Sequence, residues 1–128
     1  RSQVRLNSAD NQNANTNAER PLVGQAPYVV NSGVTWLPTS GRTSATVLYS
    51  VVGPRIYFAG TIPYPDAYER PRNLVDVSLR RELTSRVALR VDARNLLDAP
   101  YRVLQGRGRV IREGFRLGRT FSMGFTLR

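Results

Sequence analysis

The sequence predicts an all-β fold, an antiparallel up-and-down meander of five or six strands. Two observations predict it: apolar residues alternate with polar ones at a period of two, and long connections alternate with tight turns along the chain. A helix would place Val77 on the opposite side from Val75 and Leu79, so this segment is typical of a strand. No apolar run approaches the roughly 20 residues that a membrane-spanning helix needs.

The chain of 128 residues is long enough for one domain, or for a piece of one. The alternation is regular in segments 74–83, 87–95 and 117–128. Segments 27–37 and 43–52 alternate less regularly, and their β-branched and aromatic residues indicate strands. A short piece at the N-terminus, with Val4 and Leu6 between polar residues, is expected to be the end of a sixth strand. The predicted strands are residues 1–7, 27–37, 43–52, 74–83, 87–95 and 117–128.

The connections between these strands alternate in length. Tight turns are expected at 38–41 and 84–86, and long loops at 8–26, 53–73 and 98–114. Successive connections of an antiparallel meander lie at opposite ends, so the long loops gather at one end and the tight turns at the other. Soluble sandwiches have no general reason for this arrangement, whereas bacterial outer-membrane barrels have long loops outside and short turns in the periplasm.

The two faces of the predicted ribbon differ in chemistry. One face is uncharged, and in a membrane barrel it would face lipid; it consists of Val75, Val77, Leu79, Val87, Leu89, Val91, Phe121, Met123, Phe125 and Leu127. The other would face the lumen and carries Asp76, Arg80, Arg90, Asp92 and Arg94. A soluble β-domain would bury the first face instead, and the period fits both cases. Strand lengths of about 9 to 11 residues and aromatics near strand ends (Tyr28, Trp36, Phe121) favour the membrane.

Composition excludes much of the familiar enzyme chemistry. The sequence contains neither cysteine nor histidine, which removes disulfides, thiol nucleophiles, histidine bases and the common zinc ligand sets. Neither a P-loop nor a pair of catalytic carboxylates can be assembled, so we expect no enzyme activity, cofactor or metal. All 19 basic residues are arginine and the net charge is +10, which indicates an anionic neighbour such as lipid phosphate or nucleic acid.

Five short motifs resemble the barrel strands of TonB-dependent outer-membrane receptors, in the order and spacing of that family. Together they cover about residues 20 to 128. They are Asn95-Leu96-Leu97-Asp98 followed by Tyr101; Arg20-Pro21-Leu22 with 25–31; Leu48-Tyr49-Ser50 with 53–56; Asp76; and Gly118-Arg119-Thr120-Phe121 with Gly124. Members of the family usually end on an aromatic residue, whereas this sequence ends Leu127-Arg128.

The resemblance implies that residues 1–128 are the C-terminal part of a larger, 22-stranded transmembrane barrel in the outer membrane of a Gram-negative bacterium. It implies import of a scarce ligand, such as an iron chelate, a cobalamin or an oligosaccharide, driven by the TonB complex. The expected partners are the rest of the barrel, an N-terminal plug, the TonB complex acting through that plug, lipopolysaccharide and membrane lipid, and the ligand. No ligand-binding residue can be named.

The alternative is a soluble arginine-rich β-domain that binds nucleic acid or another polyanion. A stacking platform for bases needs aromatics on the charged face, but Phe121 and Phe125 lie on the uncharged one, so nucleic acid is the less favoured partner. The face charges are expected to form a cross-strand ladder or to contact the plug, with a ligand path as the less favoured alternative. Asn95 and Asp98 are expected to bond their own backbone rather than to have a metal-binding or catalytic role. An arm carrying Arg102, Arg107, Arg109, Arg112 and Arg116 is expected to be a solvated loop, with lipopolysaccharide or nucleic-acid phosphate as alternatives.

Overall fold

The structure is a computed structural model that describes residues 3–5, 19–106 and 110–127. These residues form an all-β fold without a helix, so no helix in them is long and apolar enough to cross a membrane. The strands are β1 Gln3–Arg5, β2 Glu19–Pro21, β3 Val29–Trp36, β4 Thr43–Val52, β5 Arg55–Phe58, β6 Ala67–Glu69, β7 Arg72–Glu82, β8 Val87–Arg94, β9 Tyr101–Gln105, β10 Val110–Phe115 and β11 Thr120–Leu127.

Five long strands form one sheet in the order β11-β8-β7-β4-β3, so each strand lies beside the next long strand of the chain. β7 and β11 both pair antiparallel with β8. This is an up-and-down meander, and its strands start and end within three residues of the predicted bounds. The agreement follows from the alternation, because a one-residue error in register would turn every side chain to the other face.

The tight turns are built from specific local bonds. The Gly41 N–H donates to the carbonyl of Pro38 at 2.9 Å, and Gly41 has a φ of 65°, a conformation that glycine adopts without a Cβ penalty. After β7, the hydroxyl of Thr84 accepts hydrogen bonds from the N–H groups of Arg86 and Val87 at 3.2 and 3.1 Å. Both turns therefore contain the residues that set their geometry.

The sequence predicted that the long connections 53–73 and 98–114 are loops, but the structure shows strands in both. They contain β5, β6, β9 and β10, which pair antiparallel into a four-stranded sheet in the order β10-β9-β6-β5. These strands are only three to six residues long, and the register shifts within two of the pairings, between Ile56 and Phe58 and between Ile111 and Glu113. Strands that short, interrupted by bulges, leave too few alternations to detect.

The predicted sixth strand, within residues 1–7, is not part of the meander. β1, within the predicted strand 1–7, pairs antiparallel with β2 in a separate two-stranded sheet and is not part of the five-stranded meander. Residues 6–18, which include most of the predicted loop 8–26, lie outside the described part of the chain.

The described chain divides into two compact units. One is built from the described residues within 1–29, 52–72 and 100–115, and its core contains the fully buried Ile56, Ala67 and Val103. The other is built from those within 30–51, 73–99 and 116–128 and contains the five-stranded sheet. Its buried apolar residues, within the described part, are Val51, Ala88 and Ala99, so this sheet has no core of large side chains.

Candidate functional site

The register of β7, β8 and β11 places the predicted lipid-facing residues on one side of the sheet. Opposite partners are Met123, Val91 and Leu79 in one row, and Phe121, Ala93 and Val77 in another. Directly opposite residues point to the same face of a sheet, so these rows form a continuous apolar surface. Val75 belongs to the same alternation of β7, and Val87 lies opposite Leu127.

This apolar surface is open to solvent in the chain as it stands. On β11 the exposed fractions are 67% for Phe121, 68% for Met123, 62% for Phe125 and 80% for Leu127. Every residue of β3 and of β11 is exposed, including Trp36 at the end of β3. Contiguous exposed apolar surface of this kind marks a site that is covered by another protein surface or by lipid.

The sequence prediction that this face carries no charge is wrong at one position. Arg81 lies directly opposite Leu89, in the row next to Leu79 and Val91, and therefore belongs to the apolar face. It is the last residue but one of β7, at the end of the sheet where the connections are short. A guanidinium at that position can reach beyond the end of the sheet while its stem stays on the apolar surface.

The other face contains the predicted lumen charges. Arg90 binds Asp92 of the same strand in a bidentate ion pair, with Nε–Oδ2 at 2.8 Å and Nη2–Oδ1 at 3.0 Å. Arg80 lies opposite Arg90, and Arg94 lies opposite Thr120. Four of the five predicted charges, Asp76, Arg90, Asp92 and Arg94, line one shallow depression of about 250 Å³ together with Thr46, Leu48 and Ser78. Arg80 lies outside that depression.

Asn95 is the hub of the hydrogen bonds that end β8. It has a φ of 53°, and its N–H donates to Oδ1 of Asp76 at 2.8 Å. Its side-chain Nδ2 donates to the carbonyl of Gly118 at 2.6 Å, and its Oδ1 accepts from the N–H of Ala99 at 3.2 Å. Asparagine tolerates this left-handed conformation better than most residues. The side chain therefore has a structural role in this unit.

The rest of the Asn95–Asp98 turn is held in the same way. The Asp98 N–H donates to the carbonyl of Asn95 at 2.8 Å, and Asp98 also has a positive φ, of 46°. Arg116 Nη1 donates to Asp98 Oδ2 at 2.9 Å, whereas the buried Oδ1 has no hydrogen-bond partner among the residues that the structure describes. Arg119 Nε donates to the carbonyl of Leu96 at 2.8 Å, and Leu97 is exposed. The motif residues at Asn95, Asp98, Gly118 and Arg119 thus form one bonded cluster.

Tyr101, the last residue of that motif, belongs to the other unit. Its ring stacks on Phe115 with centroids 4.8 Å apart, and the guanidinium of Arg72 lies 5.9 Å from its ring centre. Partial burial, and to a smaller extent the negative charge of Glu69, raises the pKa of the Tyr101 phenol above its usual range. In the same unit Arg55 donates to Glu69 at 2.7 Å, and this bond raises the pKa of the arginine.

The arginines of the predicted arm have different surroundings. Arg112 donates to Gln105 at 3.2 Å and lies 4.4 Å from the ring centre of Phe58, a cation–π distance. Arg116 binds Asp98 as described, and Arg102 is exposed on β9. Arg107 and Arg109 lie outside the described residues. The described part of the arm is a strand pair, β9–β10, rather than the irregular loop that was expected.

One buried carboxylate was not predicted from the sequence. Asp66 is 1% exposed, and its Oδ1 accepts the N–H of Gly60 at 2.7 Å. The Gln105 side chain donates to the carbonyl of Pro65 at 3.0 Å, so the segment 60–66 is fastened to β9. Proline and glycine density in this segment indicated a loop but gave no sign of a buried acid. The described residues contain no group of three or more acidic side chains that could hold a metal ion.

Comparison of the chain with protein-family models, curated proteins and solved structures finds no match. The fold and the two faces of the sheet are therefore the basis for any functional conclusion.

Proposed function

We propose that this chain is a segment of an outer-membrane β-barrel receptor that imports a scarce ligand with energy supplied by the TonB complex. The observation that carries the proposal is the five-stranded meander, whose edge strands are exposed along their whole length and whose apolar face is uncovered. In a membrane barrel the apolar face would contact lipid and the charged face would contact water in the lumen, so neither face would be in an unfavourable environment.

The edges of the meander support a larger barrel. β3 and β11 each have one neighbour in the sheet of the described residues, so each presents a row of backbone N–H and C=O groups without a strand partner. In hydrocarbon every such group costs several kcal/mol, so membrane-spanning sheets close on themselves. Further strands on both sides would complete the hydrogen bonding, and the Asp76–Arg94 face would then line the lumen.

The connections support a direction in the membrane. Both long connections leave the same end of the meander and contain paired strands, whereas the short turns at 38–41 and 84–86 lie at the other end. In outer-membrane barrels the long connections are extracellular. The proposed ligand would meet β5, β6, β9 and β10 first, and the charged lumen face would contact the plug.

The soluble polyanion-binding alternative receives less support. Its aromatic platform would have to lie among the charged side chains, but the register places Phe121 opposite Ala93 and Phe125 opposite Leu89, on the face whose charged residue is Arg81 near the turn. Within the pairings of β7, β8 and β11, Arg80 and Arg90 lie opposite each other and Gly124 lies opposite Arg90, so no aromatic side chain is directly opposite either arginine.

Cysteine labelling tests the membrane assignment, because the 128 residues contain no cysteine. Single cysteines at 121 to 126 would be introduced into the protein as its gene encodes it, expressed in a Gram-negative host. We expect positions 121, 123 and 125 to react with a lipid-soluble maleimide in outer-membrane fractions, and 122, 124 and 126 with a charged, water-soluble one. Uniform reaction with the charged reagent, in protein recovered from the soluble fraction, would contradict the proposal.

Import is tested separately by uptake. Cells that carry the gene should accumulate one labelled ligand among ferric chelates, cobalamin and oligosaccharides, and uptake should stop when the TonB complex or the proton gradient is removed. Uptake of the same ligand without a functioning TonB complex would contradict the transport part of the proposal while leaving the barrel intact.

A further inference from the structure

The apolar face has a basic depression at its tight-turn end. It has a volume of about 490 Å³ and lies within the five-stranded unit. We call the apolar part of its lining the floor, which consists of Leu79, Leu83, Leu89 and Val91, and the polar part the rim, which consists of Ser40, Thr43, Arg42, Arg81 and Glu82. The depression on the charged face, by contrast, has two aliphatic residues in its lining, Leu48 and Val77, among polar and charged ones.

The residues of this depression change from apolar to basic along the strands, toward the tight turn. Leu79 and Val91 are opposite partners within the apolar surface, and Arg81 opposite Leu89 follows one row nearer to the turn. The Glu82 N–H donates to the carbonyl of Arg42 at 2.7 Å, which places Arg42 beside the end of β7. Both arginine side chains are exposed, so their guanidinium groups are accessible at the rim.

Charge at the rim favours an anion. Two arginines and one glutamate line the depression, and the register of β7 places the glutamate, Glu82, opposite Ala88 at a position of the other face. A guanidinium binds a phosphate with two parallel hydrogen bonds, and Ser40 and Thr43 supply further hydroxyl donors. An apolar floor beside a phosphate-binding rim matches one molecule, a phospholipid, whose acyl chains follow the floor and whose phosphate meets the arginines.

We propose that Arg81 and Arg42 hold the phosphate of a phospholipid in the leaflet at the tight-turn end, with its acyl chains on Leu79, Leu89 and Val91. This rests on the proposed membrane function, since it needs lipid against the apolar face. A free anion is less suited to the site, because the floor would stay exposed to water with only the rim occupied. Nucleic acid would leave the same floor unused.

Neighbouring residues of β7 provide a matched control. Arg80 and Arg81 are adjacent and carry the same charge, but Arg80 lies opposite Arg90 on the charged face and Arg81 opposite Leu89 on the apolar face. Arg81→Gln removes the proposed phosphate contact, and Arg80→Gln removes an equal charge from the other side. Both substitutions keep a side chain of similar length, and both positions are exposed in the chain.

The experiment uses the protein as its gene encodes it, reconstituted in nanodiscs that contain equal parts of phosphatidylglycerol and phosphatidylcholine. Native mass spectrometry then counts the lipids that remain bound after release from the disc. We expect Arg81→Gln to reduce retained phosphatidylglycerol about fivefold, and Arg80→Gln to leave it unchanged. Arg42→Gln should reduce it as well, and the double variant Arg42→Gln/Arg81→Gln should reduce it further.

The other outcomes are distinguishable. Equal retention in Arg80→Gln and Arg81→Gln would overturn the inference while leaving the barrel in place. Displacement of the lipid by millimolar glycerol phosphate would show a free-anion site and would also overturn it. Failure of the wild-type protein to enter nanodiscs would contradict the proposed membrane function itself.

Discussion

The side-chain amide of Asn95 donates to the carbonyl of Gly118 across 23 positions of sequence, with an Nδ2–O distance of 2.6 Å. The two residues stand at the end of β8 and just before β11, which are neighbours in the sheet. Because the N–H of the same asparagine is bonded to Asp76, within β7, one residue connects three adjacent strands. The two ends of the long connection between β8 and β11 are therefore held together by this hydrogen bond.

Asn95→Ala is expected to lower the free energy of unfolding by about 2–4 kcal/mol. It removes the bonds to Gly118 and Ala99, and it forces a residue with a Cβ and no compensating hydrogen bond into a φ of 53°. Asn95→Gly removes the same bonds without the backbone strain, so its loss should be about 1 kcal/mol smaller. Urea unfolding of the protein in detergent micelles, followed by tryptophan fluorescence, measures both. Equal midpoints for wild type and Asn95→Ala would show that the hub is dispensable.

Gly60→Ala is expected to disrupt the segment that surrounds Asp66. A Cβ at Gly60 would overlap the carbonyl oxygen of Tyr64 and the carbonyl carbon of Pro65, both backbone atoms that cannot move separately from the chain. We expect a loss of roughly 3 kcal/mol or more, because backbone must shift around a buried carboxylate. Protease sensitivity of the segment between β5 and β6 would report the loss.

Gly124→Ala is the matched control for that substitution. A Cβ at Gly124 would have no heavy atom within 4 Å, and Gly124 lies in the extended strand β11. The control should therefore have the protease sensitivity of the wild type. If both alanine variants are cleaved like the wild type, the close approach at Gly60 has no energetic consequence.

The outcome of the sequence predictions depends on the length of each pattern. The long strands from Val29 to Leu127 were predicted within three residues, because eight or more residues of alternation fix both existence and face. The β5–β6 and β9–β10 strands were missed, since three to six residues with bulges do not establish a period. The hub at Asn95 was predicted to be structural, but its partners Asp76 and Gly118 could not be found from spacing alone.

The titration of Tyr101 is expected to make stability fall at alkaline pH. Burial keeps the neutral phenol favoured in the folded protein, so its pKa is raised above that of the unfolded chain, which is about 10. The contribution is fully present below the unfolded pKa, and it is lost as pH rises from there through the folded pKa. Urea midpoints measured between pH 9 and about 12 should fall more steeply for wild type than for Tyr101→Phe. Parallel slopes for the two proteins would contradict this expectation.

A positive charge placed on either face of β11 should have opposite consequences. Met123 and Ser122 are adjacent and both exposed, but Met123 lies opposite Val91 in the apolar rows and Ser122 lies opposite Asp92 in the charged ones. If the apolar face meets lipid, Met123→Lys near the middle of the strand should destabilise the inserted protein by about 2–4 kcal/mol. Ser122→Lys adds the same charge beside a carboxylate and a wet surface, so its cost should be close to zero.

The measurement for this pair is the fraction of protein that folds into lipid vesicles, followed by the mobility of unheated samples in detergent gels. Met123→Lys should reduce the folded fraction strongly, and Ser122→Lys should match the wild type. A soluble domain predicts a different result, because a lysine on an exposed surface improves solubility in plain buffer and leaves folding unchanged. Equal folding of the two variants in vesicles, or folding of both without any lipid, would exclude acyl chains as the neighbour of Met123 and with them the proposed barrel.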